Sequence, residues 1–137
     1  MHTGVPPLLP LSEAEKNEQL MLIPILHQDQ VPLIEEALPD CHLIRWSDGM
    51  SFDIAKKDVS KIHGIRKIIE RLGISIDEVA AIGDGWNDVE MLDSVGLGIA
   101  MGNAKPEAKA VAKHITEHIL EEGLPKAVDY IFSLNQK

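Results

Sequence analysis

The chain has 137 residues, of which 45% are hydrophobic, enough for one modest globular domain or two small ones. Its formal net charge of −9 argues against a nucleic-acid partner, because a phosphate backbone attracts basic surfaces. The single cysteine, Cys41, excludes an internal disulfide and favours a reducing compartment. The longest apolar run, residues 20–26, is too short to span a bilayer, and no Lys or Arg precedes Lys16. We therefore expect a cytoplasmic protein without a signal peptide or membrane segment.

The N-terminal part of the chain offers weak signals. Residues 1–18 contain three prolines and are expected to be irregular, apart from a helical turn or two between Ser12 and Asn17. Residues 19–26 predict a strand, and Pro24 limits this strand to the edge of a sheet or to a bulge.

A helix and a hairpin are predicted next. An apolar helical face runs over residues 31–38 and ends at a proline. Residues 41–46 and 50–55 predict two strands, and the Ser-Asp-Gly sequence at positions 47–49 is typical of a hairpin turn. Residues 19–56 therefore predict a small strand–helix–strand–strand unit.

From residue 57 to the C-terminus the pattern alternates between helices and strands. This alternation predicts an α/β fold with a parallel sheet flanked by helices. The predicted elements are a helix from Ile62 to Leu72 that ends at Gly73, a strand at 79–83, a helix at 87–95, a strand at 97–101, a helix at 106–113, a short strand at Ile115 and a final helix at 124–132.

Two carboxylates follow the buried strand at 79–83. Asp84 comes directly after the strand, and Asp88 lies four residues on, where a helix is predicted to begin. Open α/β folds bind ligands at the carboxyl ends of their strands. Two neighbouring carboxylates suit a hard cation such as Mg²⁺, which prefers oxygen ligands. The alternative is a turn acid followed by a helix-capping acid.

The surrounding motif resembles a known family. The sequence Gly-Asp-Gly-Trp-Asn-Asp-Val-Glu-Met-Leu at positions 83–92, with Leu-Gly-Ile-Ala-Met-Gly-Asn-Ala at 97–104, resembles the haloacid dehalogenase-like (HAD) hydrolases. The nearest branch is the Cof-like group of sugar-phosphate and related phosphatases. The resemblance implies a partial Rossmann-like three-layer core with parallel strands. Residues 57–137 would form its C-terminal half, and residues 19–56 would be a small α+β remnant of the cap domain.

The resemblance also implies roles for individual residues. Asp84 and Asp88 match the acidic motif that holds Mg²⁺, and Lys61, at the start of a helix, matches the lysine that contacts the phosphoryl group. Asn87 either orients the outer shell of the metal or caps its helix. Asn103 either approaches the phosphate of the substrate or acts as a cap. Trp86 lies between the two acids, where it either stacks on a substrate or packs against the cap.

The attacking residues of the family have no counterpart in this sequence. In the family an aspartate attacks phosphorus, a second aspartate two residues later handles the leaving-group proton, and Mg²⁺ and a lysine offset the charge. None of the ten aspartates of the chain has another aspartate two residues away. The chain thus resembles the C-terminal half of such an enzyme, and we expect it to be inactive alone. The alternative is a non-catalytic metal-binding or interaction module.

The missing half has a consequence for partners. In the family, the strand that ends at the Asp84 position lies beside the central strand that carries the attacking aspartate. An unpaired strand edge invites pairing with another chain. We therefore expect a homo-oligomer or a complementing N-terminal half as partner, and a small phosphorylated metabolite as ligand, with no nucleic acid or membrane.

Overall fold

The computed structural model describes residues 10–14, 16, 21–46 and 48–134. Most of the segment 1–18, which the sequence predicts to be irregular, lies outside these residues. The helices and strands, in chain order, are α1 (Leu11–Ala14), α2 (Val31–Ala37), β1 (Cys41–Arg45), β2 (Phe52–Lys56), α3 (Lys61–Leu72), β3 (Ala80–Gly83), α4 (Val89–Ser94), β4 (Leu97–Ala100), α5 (Pro106–Val111), β5 (His114–Ile115) and α6 (Gly123–Leu134), with 3-10 turns at Ile76–Glu78, Trp86–Asp88 and Ile119–Glu121. None of the described helices is both long and apolar enough to cross a membrane.

The predicted hairpin is confirmed. Strands β1 and β2 pair antiparallel, with Arg45 opposite Phe52 at the turn end. The Asp48 carboxylate fixes the turn, because it accepts the backbone N–H of Met50 and of Ser51, each at 2.9 Å, and the Ser51 hydroxyl at 2.6 Å. Short polar side chains that bond to the backbone two or three residues on are typical turn formers. We call residues 21–56 the hairpin region.

The strand predicted at Pro24 does not form over the described residues 21–26. Two isolated antiparallel bridges link this segment to β2 and to the residue before it, one of them between Leu22 and Ile54. Proline has no N–H to donate, and a continuous ladder is interrupted there. The segment therefore runs beside β2 as an irregular edge.

The second sheet is the parallel one that the sequence predicts. Its order is β3–β4–β5, with β4 in the centre and both pairings parallel. Ala81 lies opposite Gly98 and Ile82 opposite Ile99. Because the strands are parallel, their carboxyl ends lie on one edge of the sheet, and the loops after β3 and β4 meet there. We call residues 57–134 the sheet region.

Helices cover this sheet. Helix α4 packs on β3 and β4, α5 on β4, α3 on α4, and α6 on β3. Side chains alternate along a strand, so Ala81 and Ala100 point toward α4 while Ile82 and Ile99 point to the opposite face. This arrangement confirms the α/β class and the partial Rossmann-like core. The buried cluster comprises Ile62, Ala81, Met91, Leu92, Val95, Ala100, Met101, Ala104 and Ala108.

Candidate functional site

Lys61 is the first residue of α3, and the start of this helix is well defined. The Ser60 hydroxyl accepts the backbone N–H of His63 at 3.4 Å, which caps the helix in the manner typical of serine. The next residue, Ile62, is 2% exposed and anchors the first turn in the core. Capping and burial together hold the Lys61 backbone beside the loop that follows β3.

The loop after β3 is built around the side chain of Asp88. This carboxylate is buried, and its Oδ2 accepts the backbone N–H of Asp84 and of Gly85, each at 2.9 Å. Asp88 makes no side-chain capping bond to α4, although it directly precedes that helix. A Cβ on Gly83 would lie 2.6 Å from the Asp88 Cβ, so only glycine allows this close approach. The helix that the sequence predicts at residues 87–95 begins as a 3-10 turn and becomes α-helical from Val89.

Asp88 also binds Lys61. The Lys61 ammonium donates to Asp88 Oδ1, across 27 positions of sequence. The lysine side chain is half-exposed, whereas that of Asp88 is buried. Burial raises the pKa of Asp88, but the hydrogen bonds from Lys61, Gly85 and Asp84 outweigh this and hold the pKa below its ordinary value of 3.8. Asp88 is therefore ionised at neutral pH.

Asp84 has different surroundings. It is exposed, and its Oδ2 accepts the side-chain amide of Asn103 at 3.1 Å. Asn103 follows β4, and its own Oδ1 accepts the backbone N–H of Ile119 at 3.0 Å. The backbone carbonyl of Asp84 accepts the N–H of Lys105 at 2.9 Å. The loops after β3 and β4 are thus tied together at Asp84.

The two acids of the motif are unequal as metal ligands. Both oxygens of Asp88 already accept hydrogen bonds, while Asp84 presents an exposed carboxylate with one bond from an amide. In the part of the chain that is described, no group of three or more His, Cys, Asp or Glu side chains is arranged to hold a metal. Mg²⁺ is often bound through only one or two carboxylates plus phosphate oxygens and water. The donors present therefore fit such an ion at Asp84, with Asp88 behind it.

Two clefts adjoin Asp84. One, of about 520 Å³, is lined by four residues singled out from the sequence, namely Lys61, Asp84, Asp88 and Asn103. The fifth, Asn87, lines the other cleft, of about 490 Å³, which Asp84 and Asn103 also line. The structure thus brings all five residues to one edge of the parallel sheet.

The second of these clefts contains residues that sequence reasoning missed. The Lys105 ammonium lies 4.8 Å from the centroid of the Trp86 ring, a cation–π contact. Arg45, Trp46 and Asp53 of the hairpin region also line this cleft. Trp86 therefore contacts Lys105 and also lines a cleft next to the hairpin region, so packing and stacking on a substrate are both open to its ring. No local signal predicts these neighbours, because the hairpin region meets the loop only in the folded chain.

Comparison with known proteins decides the family. The sequence profile of the haloacid dehalogenase-like hydrolases matches residues 14–128. The chain belongs to the HAD-like hydrolases. The HAD subclass IIB sugar phosphatase BT4131 has 33% sequence identity and a TM-score of 0.84, over 94% of this chain and 49% of that one. The phosphatase BT1666 from Bacteroides thetaiotaomicron has 29% identity and a TM-score of 0.82, over 93% of this chain and 47% of that one.

Relatives found by sequence are described as phosphatases. The Bacillus subtilis protein YkrA is 38% identical over 88 residues, which are 64% of this chain and 34% of that protein. The phosphoglycolate phosphatase of Archaeoglobus fulgidus is 39% identical over 83 residues, which are 61% of this chain and 37% of that protein. The chain thus spans about a third of these two relatives and about half of the solved structures.

Proposed function

We propose that this chain supplies the phosphate- and metal-binding half of a Mg²⁺-dependent phosphatase that hydrolyses small phosphate monoesters such as sugar phosphates. The observation that carries this proposal is the ion pair between Lys61 and buried Asp88, beside the exposed carboxylate of Asp84. The substrate class is supported by a sugar phosphatase at 33% identity and a phosphoglycolate phosphatase at 39%. In this proposal residues 57–137 form half of the core, and residues 19–56 belong to the cap domain.

Each site residue then has a distinct task. The Lys61 ammonium contacts the phosphoryl oxygens, where a cation stabilises the charge that develops during transfer. Asp88 is a positioning residue, because it holds Lys61 and fixes the loop that carries Asp84. Asn103 orients the Asp84 carboxylate. Asn87 lines the adjoining cleft and contacts substrate there. When bound at Asp84, Mg²⁺ would offset the repulsion between carboxylates and phosphate.

We further propose that the 137-residue chain has no turnover by itself. The aspartyl-phosphate route needs an attacking aspartate with a second one two residues later, and no such pair occurs among its ten aspartates. Hydrolysis of p-nitrophenyl phosphate by the pure chain, dependent on Mg²⁺ and lost in Asp84→Asn, would contradict this.

A complementation experiment tests the proposed function. The N-terminal half of the related sugar phosphatase is added to the pure chain, and Mg²⁺-dependent phosphate release is measured. We expect activity to appear with the wild-type chain and with Asp129→Asn, an exposed acid of α6 outside the site, and to be absent with Asp84→Asn. Restored activity that is indifferent to Asp84→Asn would sink the proposed site.

Calorimetric titration with Mg²⁺ tests the metal separately. We expect the wild-type chain to give a heat of binding that saturates, and Asp84→Asn to lose it. Asp129→Asn again serves as the control, because it removes one exposed carboxylate elsewhere. Equal binding by all three proteins would show that the ion is not held at Asp84.

A second candidate is a non-catalytic metal-binding or interaction module, which the surface of the sheet region favours. Within the described residues β3 pairs only with β4, so its other edge is open. Helix α6 exposes an apolar stripe of Leu124, Val128 and Phe132, which are 47%, 39% and 62% exposed and lie four residues apart. An open edge and an apolar stripe are both typical of surfaces that meet another chain.

We propose that this surface pairs either with a second copy or with a complementing N-terminal half. Light scattering of the pure chain at high concentration measures its oligomeric state and so tests for pairing with a second copy. A homo-oligomer that Phe132→Glu dissociates, while Glu121→Gln does not, would support a second copy. A strictly monomeric chain would contradict it and leave the complementing half as the partner.

A further inference from the structure

The loop after β4 carries Asn103, and Gly102 in this loop lies close against the segment that follows β5. The Gly102 N–H donates to the Glu117 carbonyl at 3.0 Å. A Cβ on Gly102 would lie 2.4 Å from the backbone nitrogen of His118, so only glycine allows this approach. One side of the Gly102 backbone is therefore fixed by the neighbouring segment.

The carbonyl of Gly102 is held by Lys109. The Lys109 ammonium donates to it at 2.6 Å, and the contact is partly buried. Lys109 lies in the last turn of α5, and helical side chains lean toward the N-terminus of their helix, so this ammonium reaches back to the loop before α5. It pairs with no carboxylate among the described residues. The charge of Lys109 is thus directed at a backbone carbonyl, and such charge-assisted bonds are stronger than neutral ones.

This bond fixes the peptide that leads into Asn103. The Gly102 carbonyl and the Asn103 N–H and Cα lie in one plane, because the peptide bond is rigid. Holding the carbonyl therefore sets the direction in which the Asn103 side chain leaves the backbone. That side chain makes two bonds, from its Nδ2 to Asp84 Oδ2 at 3.1 Å and from the Ile119 N–H to its Oδ1 at 3.0 Å. Because Asn103 is exposed, water competes for both bonds, and their geometry depends on the backbone that Lys109 holds.

We propose that Lys109 is a positioning residue of the metal and phosphate site, and that it acts on the Asp84 carboxylate through the Gly102–Asn103 peptide. The inference rests on the proposed function, since it assumes that Asp84 binds Mg²⁺. Lys109 lines neither of the two clefts beside Asp84, so it contacts neither metal nor substrate in this role. Its ammonium holds the loop and thereby keeps Asn103 directed at Asp84.

Lys113 provides a matched control at the other edge of the sheet. Its ammonium also donates to backbone carbonyls, those of Gly96 at 2.8 Å and Val95 at 3.3 Å. These two residues precede β4, whereas Gly102 follows it, so the two lysines hold loops at opposite ends of one strand. Lys109→Met and Lys113→Met remove the same charge and the same kind of bond, and both keep an unbranched apolar side chain. Only Lys109→Met should alter the site.

Calorimetric titration of the pure chain with Mg²⁺ measures the effect on the site. Loss of a hydrogen-bonded partner of a metal ligand costs about 10–100-fold in affinity, and Lys109 acts one step further away, so we expect Lys109→Met to weaken binding about three- to fivefold. The sign is informative, because removing a positive charge would by itself strengthen the binding of a cation. Lys113→Met should bind Mg²⁺ as the wild type does.

A double-mutant cycle tests whether Lys109 acts through Asn103. Asn103→Ala removes the amide that binds Asp84, and we expect it to weaken Mg²⁺ binding about tenfold. Adding Lys109→Met to Asn103→Ala should weaken binding no further, because the group that Lys109 positions is already gone. Urea unfolding of each variant confirms that it is folded under the conditions of the titration. A general loss of stability would act equally with and without Asn103.

The outcomes separate this inference from the proposed function. Unchanged or tighter Mg²⁺ binding by Lys109→Met, with saturable binding by the wild type, would overturn the role of Lys109 and leave the site at Asp84 standing. Equal weakening by Lys109→Met and Lys113→Met would overturn it as well, and so would an equal effect of Lys109→Met with and without Asn103. If the wild type itself shows no saturable binding, the proposed metal site is wrong and this inference is wrong with it.

Discussion

The hairpin region and the sheet region are stabilised in different ways. Buried hydrophobic side chains in the described part of the hairpin region are few, namely Phe52, Ile54 and Ala55, whereas the buried cluster of the sheet region runs from Ile62 to Ala108. Several other large apolar side chains of the hairpin region are half-exposed or more, such as Ile25 at 75% and Leu33 at 64%. The hairpin region thus depends on its turn and its strand pairing, and the sheet region on a packed core.

This difference matches where the candidate site residues lie. Lys61, Asp84, Asp88 and Asn103 stand on or next to elements of the sheet region, where packing fixes their backbone. Sites built on packed elements hold their geometry better than sites on loosely packed ones. Arg45, which lines the cleft of about 490 Å³, lies in the hairpin region instead. Residues on this wall of the cleft can be substituted without disturbing the core.

The largest expected effect comes from the core of the sheet region. Leu92 is 0% exposed, and Leu92→Ala should lower the free energy of unfolding by about 2–5 kcal/mol, since it removes buried methyl groups and leaves a cavity. Leu33→Ala makes the same change at a leucine that is 64% exposed in the hairpin region, and it should cost less than about 0.5 kcal/mol. Urea unfolding of both variants measures the contrast. Similar losses would show that the two regions share one core.

A second pair of variants tests the loop that carries the acids. Gly83→Ala would place a Cβ 2.6 Å from that of Asp88, and we expect a loss of about 1–3 kcal/mol from overpacking. Gly64→Ala has open space around the new Cβ within helix α3, and it should stabilise the protein by about 0.5–1 kcal/mol. Thermal unfolding of both variants measures whether each substitution destabilises or stabilises the protein. A stabilising Gly83→Ala would mean that Asp88 is not packed against the end of β3.

Local sequence signals predicted much of this structure. The Ser-Asp-Gly sequence predicted the hairpin, and in the structure Asp48 bonds to the backbone just after it. Gly73, with a φ of 66°, ended α3 as expected of a left-handed cap. The alternation of apolar segments gave the parallel sheet. Each of these features depends on residues within a few positions of one another, which is why the sequence alone reveals them.

Other features depend on contacts between distant residues. The sequence placed Asp88 beside Asp84 as a second metal ligand, but it contained no signal that Asp88 would be buried and would bind Lys61, 27 positions away. The Lys105 contact with Trp86 was missed for the same reason. At Pro24 the apolar run suggested a strand, and the missing N–H prevented a continuous ladder.

The third prediction concerns the charge of Asp88. Asp88→Asn removes the ion pair with Lys61 and should lower the free energy of unfolding at neutral pH by about 1–2 kcal/mol, discounted because the Lys61 side chain is half-exposed. The folded-state pKa of Asp88 lies below 3.8, so this stabilisation is complete above that pH and is lost as the pH falls through the lowered value. The free energies of unfolding of the variant and the wild type, measured from neutral pH into acid, should converge.

Asp48 provides the matched carboxyl in the hairpin region. Its pKa is also lowered, first by the Ser51 hydroxyl and then by backbone N–H groups, but it is exposed. NMR titration should place both carboxyls below their ordinary range, and Asp48→Asn should destabilise the protein less than Asp88→Asn. An Asp88 that titrates above 3.8 would mean that burial outweighs its hydrogen bonds.

A small effect, below that of Asp88→Asn, is expected for a hydrogen bond of the hairpin region. Trp46→Phe removes the indole N–H that Asp53 accepts at 2.9 Å while keeping an aromatic ring. Because Trp46 is 41% exposed, water replaces the lost bond, and the cost should stay below about 1 kcal/mol. Hydrogen exchange then shows where that cost falls. We expect faster amide exchange in β1 and β2 and unchanged protection in β3 and β4. An equal loss of protection in both sheets would mean that the two regions unfold as one unit.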